Sequence, residues 1–316
     1  MDEVLQHSVR VPKEALRGLM PKSDGPGLAR FLATFTLFVG SAVAAASLGA
    51  AGSPAVALPI VTGAVAYLGF FPALHESGHG TAFRTPILNR AVCWFTAAMM
   101  LEGPTFFREF HWEHHRKTQD RAHDPEIMTA PEILDGWPTN PFVYLGLASG
   151  QALWVGKFFF TVGCALLPQA LWRRLFPFVR ASMASRVAWE CRAVLALLVA
   201  LVAGGLAWIP GFWAVLLIWP AGHVLLGLYL MAEHTGLANE GSQLHRTRTL
   251  ETTAWVRWWM WNMPYHGEHH GYPAVPFHAL PRLHRLLGDE LENLSPGYLA
   301  FHREALARSL GLHRRP

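Results

Sequence analysis

Two long stretches of this chain carry no charged residue. Phe31 to Leu74 is one, 44 residues long, and Ala193 to Ala232 is the other, 40 residues long. A helix needs about 20 apolar residues to cross the hydrocarbon core of a bilayer, so each stretch predicts two crossings and a turn. Helix-breaking residues place the turns at Ala51-Gly52-Ser53-Pro54 and at Ile209-Pro210-Gly211. The first hairpin is expected to begin after Arg30 and to end on His75; the second begins after Arg192 and ends on Glu233-His234. Both hairpins start beside an arginine and finish on a histidine.

The apolar pattern between the hairpins is weaker. Ala91 to Leu101 is too short to span and predicts a buried or interfacial helix. Phe142 to Trp172 is long enough, but Lys157 interrupts it and Arg173 and Arg174 follow. A re-entrant or interface-lying pair of helices accommodates those charges. Beyond Pro281 the chain turns polar, with a helix expected around Pro296 to Leu310. The expected organisation is a leading segment over 1–30, a membrane domain over 31–287 and a tail over 288–316.

Composition supports this reading. Hydrophobic residues make up 52% of the chain and charged residues 15%, with 13 tryptophans, which indicates surface meant for lipid. The pI near 9.1 raises nucleic acid as a partner, but the basic residues are scattered and no basic, aromatic-rich recognition motif accompanies them. They set orientation instead. The two hairpin turns contain no Lys or Arg, whereas Arg10, Lys13, Arg17, Lys22 and Arg30 precede the first hairpin. Arg84, Arg90, Arg108, Arg116, Lys117 and Arg121 follow it. The turns therefore face outward and the remainder is cytoplasmic. The first 30 residues lack the apolar core of a secretory signal, so targeting falls to the first crossing.

Histidines cluster on the cytoplasmic side. His75-Glu-Ser-Gly-His79 is one cluster, His111-Trp-Glu-His114-His115 a second and His266-Gly-Glu-His269-His270 a third. Helical i, i+3 and i+4 spacing brings the imidazoles of each cluster to one face. With His234 at the end of the fourth crossing there are nine rings, more than one ion needs. Two ions with four or five ligands each fit the count and leave room for oxygen or water. Glu76, Glu113, Glu233 and Glu268 neighbour the rings, with Asp120, Asp124 and Glu126 further off; a ligating histidine usually donates its second N–H to such a group. His223, inside the fourth crossing, either faces a substrate tunnel or bonds between helices. His123 has no partner at ligand spacing, and His278 and His284 are expected to be structural. The run Trp255, Trp258, Trp259 and Trp261 suits an interfacial belt better than a tunnel. Cys93, Cys164 and Cys191 are far apart, which excludes an iron–sulfur centre built from this chain.

The sequences HESGH at 75–79, HWEHHRKTQD at 111–120 and NMPYHGEHHGYPAVP at 262–276, continuing to LPRLH at 280–284, resemble the three histidine boxes of integral-membrane fatty acid desaturases and hydroxylases. Met231-Ala-Glu-His-Thr-Gly-Leu237 is similar to the extra histidine motif of membrane alkane hydroxylases. The resemblance looks strongest to bacterial desaturase-like proteins, among them dihydrorhizobitoxine desaturases. It implies an all-α membrane protein of four transmembrane helices in two hairpins under a cytoplasmic helical cap, in a bacterial inner membrane. It also implies a non-haem centre of two iron ions that uses O2, with His75, His79, His111, His114, His115, His234, His266, His269 and His270 as ligands. One departure concerns the surroundings of one iron: animal acyl-CoA desaturases place asparagine, acting through water, four residues before the lone histidine, where this chain has Leu230.

Desaturation of a lipid-like acyl chain is the leading expectation. A hydroxylase or ketolase acting on an alkane, acyl or carotenoid substrate shares the ligand set. A membrane zinc hydrolase would need fewer ligands, and a metal transporter would place polar residues at mid-membrane. No flavin, nicotinamide or cytochrome motif is present, so the electrons must come from an external ferredoxin, rubredoxin or cytochrome with its reductase.

Overall fold

The structure is a computed structural model that describes residues 11–312. The ends of the leading segment and of the tail, 1–10 and 313–316, lie outside the described residues. Among those described, four helices are long and apolar enough to cross a membrane: Gly25–Ala50, Pro54–His79, Ala181–Trp208 and Phe212–His234. They carry exposed apolar side chains such as Val43, Leu58, Val61, Leu197 and Val199 over their outer faces. The protein is an integral membrane protein built of helices, as the charge-free runs imply.

Both turns form where the breakers stand. Gly52 takes a left-handed φ of 63° and the Ser53 hydroxyl accepts the N–H of Ala55, closing the first hairpin. The second spanning helix stops at Gly80, whose φ of 72° is the left-handed conformation glycine adopts without penalty. That stop fixes His75 and His79 in the last turns of the helix.

The helices begin earlier than the charge-free runs. The first starts at Gly25, so Arg30 lies inside it, with its guanidinium over the Phe277 ring at 4.7 Å. The third opens with a 3-10 turn at Ala181–Met183 and is α-helical from Ala184, rather than starting after Arg192. Its charged first turns are used by the cap: Glu190 accepts the Thr105 N–H at 2.7 Å and the Thr105 hydroxyl at 2.8 Å, and Arg186 donates to Glu190 at 3.0 Å. A carboxylate at the first turn of helix Pro104–Lys117 satisfies an N–H with no intrahelical partner and complements the helix dipole. Arg192 donates to the Ala165 carbonyl at 2.8 Å. The charge-free run thus marks the hydrocarbon-facing length of a helix and leaves out the part that reaches into the cap.

Among the described residues, none of the intervening helices is long and apolar enough to cross a membrane. Pro86–Met99 lies along the second spanning helix with Val92, Cys93, Thr96 and Ala97 buried. The stretch from Phe142 forms two helices, Pro141–Ala148 and Gln151–Leu166, and Lys157 reaches the Glu102 carboxylate at 2.5 Å. The pair is broken at Gly150, where φ is 63° and an added Cβ would stand 1.8 Å from the His223 carbonyl oxygen. Gly150→Ala is expected to lower the melting temperature in detergent, because the left-handed conformation alone costs about 1–3 kcal/mol and the clash adds to it. Gly146→Ala, with open space around it, is the neutral control. Equal melting of Gly150→Ala and wild type would contradict this packing.

The tail closes over the cap. Thr249–Leu250 pairs in parallel with Leu294–Ser295, and helix Tyr298–Ser309 buries Phe301 and Ala305 against Tyr144, Ala148, Met231 and Ala232.

Candidate metal centre

The nine histidines singled out by spacing form two groups, each with its nitrogens within 4.8 Å of one another. His75, His79, His111, His115 and His269 make one; His114, His234, His266 and His270 make the other. Three elements supply the first group: the end of the second spanning helix, helix Pro104–Lys117 and helix His266–Gly271. The second group takes its extra member from the end of the fourth spanning helix. Each HxxHH box divides between the groups, because successive histidines on a helix point about 100° apart. The groups adjoin where His115 stacks on His270 with ring centroids 4.1 Å apart.

In the first group the Nε2 atoms of His79 and His111 are 2.8 Å apart, His111 and His115 3.1 Å, and His269 lies 3.2 Å from both His79 and His115. In the second, Nε2 of His234 lies 3.2 Å from His114 and 3.1 Å from His266. Ligand nitrogens held 2.0–2.1 Å from one ion at tetrahedral or octahedral angles are about 2.8–3.4 Å apart, which is the observed spacing.

The tautomers strengthen the fit. His114 Nδ1–H donates to Asp124 Oδ1 at 2.9 Å and His234 Nδ1–H donates to the Arg246 carbonyl at 2.9 Å. His270 Nδ1–H donates to the Thr118 hydroxyl at 3.2 Å, which itself donates to the His114 carbonyl. When His114 and His234 are both neutral with the proton on Nδ1, their Nε2 lone pairs face each other, and in that form the pair calls for a cation between them; without one, the Asp124 and Glu126 charges favour a second proton on His114. The Nε2 atoms of His75 and His270 are buried without a protein partner. The residues fit two metal ions.

Burial pushes the imidazoles of His111, His115, His266, His269 and His270 far below the ordinary range, and their neighbouring imidazoles push them further. Neutral imidazole is the ligating form. His114 goes the other way: burial opposes its charge, but Asp124 and Glu126 overcome this and raise it to about 9.

The carboxylates separate by role. Glu76 lies 3.7 Å from Nδ1 of both His75 and His269, and Glu233 lies 3.4 Å from Nδ1 of His266. Glu268 accepts from Thr249 at 2.6 Å and from His284 Nδ1 at 2.5 Å, so it braces the third box from outside. Glu113 pairs with Arg116 on the surface, and Asp120 bonds His123 in an exposed turn. Sequence reasoning missed Thr118, Gln119 and the Arg246 carbonyl. Gln119, at a left-handed φ of 64°, donates its N–H to Asp124 and its side-chain amide to the His234 carbonyl. Such a strained backbone is one signal that only coordinates carry.

The Nδ1–H of His223 donates within its own helix to the Trp219 carbonyl at 3.0 Å rather than between helices, and its Nε2 is buried without a hydrogen-bond partner among the described residues. Leu230 brings no polar atom to the four-histidine group. Trp255 and Trp258 are exposed as a belt requires, whereas Trp259 and Trp261 are buried, Trp259 donating to the Val65 carbonyl. An apolar cavity of about 400 Å³ is lined by Leu68, Leu225, Leu228, Tyr229, Val256 and Met260, among others. Phe71 stands between it and the centre, 5.8 Å from the Tyr229 ring and 6.1 Å from His75.

Comparison with known proteins agrees with this geometry. The sequence profile of fatty acid desaturases matches residues 51–302, which takes in all three boxes and His234. The chain belongs to the fatty acid desaturase family. Among its relatives is a sphingolipid delta(4)-desaturase of Komagataella phaffii, 26% identical over 250 residues, or 74% of this chain and 62% of that protein. A sphingolipid delta(4)-desaturase of Drosophila melanogaster is 29% identical over 224 residues, 68% of this chain and 60% of that one. The mouse sphingolipid delta(4)-desaturase/C4-monooxygenase is 26% identical over 232 residues, 70% and 62% of the two chains. The chain spans about three fifths of the length of these relatives. They are fungal, insect and mammalian, so the expected bacterial branch is not borne out.

Proposed function

We propose that the protein is an O2-dependent lipid desaturase with two iron ions, one held by His75, His79, His111, His115 and His269 and the other by His114, His234, His266 and His270. The observation that carries this reading is the division of nine buried imidazoles into cages of five and four. All-nitrogen cages of this kind suit a redox-active first-row metal, and a zinc hydrolase needs far fewer ligands. When bound, the irons supply an oxidant able to remove hydrogen from an unactivated carbon.

The chain's own residues prepare the site. Asp124, Thr118 and the Arg246 carbonyl orient three rings by accepting hydrogen bonds from their Nδ1–H groups, leaving Nε2 free to ligate. Burial of eight of the nine histidines keeps bulk water from the centre. The cavity behind Phe71 has the size and apolar lining expected for a hydrocarbon chain. The Lys and Arg distribution supports a cytoplasmic site, reached by an external electron donor; in a bacterial cell the membrane is the inner one. The relatives' names direct the first assays to sphingoid lipids, and the mouse name pairs desaturation with oxygen insertion, which keeps hydroxylation as the second reading.

Mass spectrometry of lipids from cells expressing the chain, against cells expressing His269→Ala, tests the proposal. A product lighter by two hydrogens and dependent on His269 is expected. A product heavier by one oxygen would make the enzyme a hydroxylase. Identical lipids from iron-loaded protein supplied with reductant would sink both.

A further inference from the structure

Eight of the nine cage histidines are sealed from solvent, and His79 alone is only partly buried. Against its ring stands Trp112, with centroids 4.7 Å apart and the planes at 80°. The Trp112 ring also lies 6.0 Å from His115, a second member of the same cage. Trp112 itself is half-exposed. It is the outward residue of a helix whose inward residues are ligands, so one indole connects solvent to two imidazoles of the five-histidine group.

The surroundings of that indole are basic. Arg108, Trp112 and Arg116 fall at i, i+4 and i+8 of helix Pro104–Lys117 and so share a face, with both arginines exposed. The Arg108 stem lies beside Gly78, where an added Cβ would meet its Cγ at 3.9 Å. Exposed Lys22 donates to the Gly80 carbonyl at 2.7 Å, one residue past His79. Two acidic side chains belong to this helix: Glu113 pairs with Arg116 and offsets one of the three cations, and buried Glu109 is itself paired with exposed Arg180. Positive charge around a partly exposed aromatic ring favours an acidic protein whose redox group must approach closely.

We propose that Trp112 is where electrons reach the five-histidine group, and that Lys22, Arg108 and Arg116 dock an acidic one-electron carrier protein over it. The inference rests on the desaturase reading. Forming a double bond from a –CH2–CH2– unit while O2 is reduced to two waters consumes two electrons and two protons beyond the two hydrogens removed. Each encounter would oxidise the carrier by one electron, which an iron ion held by His79 and His115 would accept, so that two encounters would supply one turnover. The protons come from water.

Binding and electron transfer are measured separately on the iron-loaded full chain in detergent. The probes are two acidic carriers, the soluble haem domain of cytochrome b5 and a plant-type ferredoxin, with a basic cytochrome c as control. An acidic carrier is expected to bind more weakly as salt rises. Arg108→Glu combined with Arg116→Glu is expected to weaken it by about tenfold or more at low salt, the scale of electrostatic steering. Trp112→Leu is expected to keep that affinity and the iron content but to slow reoxidation of the reduced carrier several-fold, with Trp112→Phe recovering most of the rate. Reoxidation by Trp112→Leu at the wild-type rate would overturn the route, and charge reversal without effect on binding, or no binding of either acidic carrier, would overturn the dock. Dithionite, a small reductant that needs no dock, separates the two levels. If it reduces the wild-type iron while the variants behave as wild type, this inference alone fails; if it does not, the desaturase reading fails with it.

Discussion

His269→Ala is expected to empty the five-histidine group of iron and to bring product formation below detection. His269 Nε2 lies 3.2 Å from the Nε2 atoms of both His79 and His115, so its loss opens one side of the cage. Losing a partner outside the ligand shell costs about 10–100-fold in metal affinity, and losing a ligand costs more. Iron per chain, measured by elemental analysis after removal of loose metal, should fall to about half that of wild type or lower. The second observable is thermal: a ligand that binds only the folded state stabilises it by mass action, so iron should raise the wild-type melting temperature more than that of the variant. His123→Ala is the control, since His123 is exposed and bonds only within its own turn. A His269→Ala protein with full iron and full activity would remove the ligand assignment.

The extent to which the chain announces this site follows from the physics of each part. Charge-free runs of 44 and 40 residues leave no soluble fold open, and their breakers fall at the observed turns. Histidine spacing identifies the members of the cages because helical geometry is local. It does not assign them: that His111 and His115 join His75 while His114 joins His234 depends on how three elements meet. The helix starts at Gly25 and Ala184 were misplaced because charge was read as the end of a helix, whereas Glu190 is satisfied by Thr105 of a helix 85 residues away in sequence and Arg186 pairs with Glu190 within its own helix. Of the seven carboxylates beside the boxes, spacing could not separate Asp124 from Asp120. The chain turns between them, sending one inward to His114 and the other to exposed His123.

Asp124→Asn should weaken the four-histidine group while leaving the five-histidine group loaded. The carboxylate does three things at once: it accepts His114 Nδ1–H at 2.9 Å, the Gln119 N–H at 2.8 Å and the Glu126 N–H at 3.0 Å. Asparagine matches its shape but has one accepting oxygen, so either the ring or the Gln119 N–H faces an NH2 group instead. A buried donor left unmatched costs about 1–3 kcal/mol. Through the ring, the expected loss of iron affinity is about 10–100-fold, as for other outer partners of ligating histidines. Titration of metal-free protein with ferrous iron under anaerobic conditions should therefore change from two tight sites to one tight and one weak. Glu126→Gln gives the contrast, because Glu126 is partly exposed and stands 3.8 Å from the His114 ring, a distance at which neutralising it removes charge but no hydrogen bond. If Asp124→Asn and Glu126→Gln weaken the second site equally, charge rather than the oriented bond governs His114. If Asp124→Asn leaves both sites tight, Asp124 serves only the loop that carries Gln119.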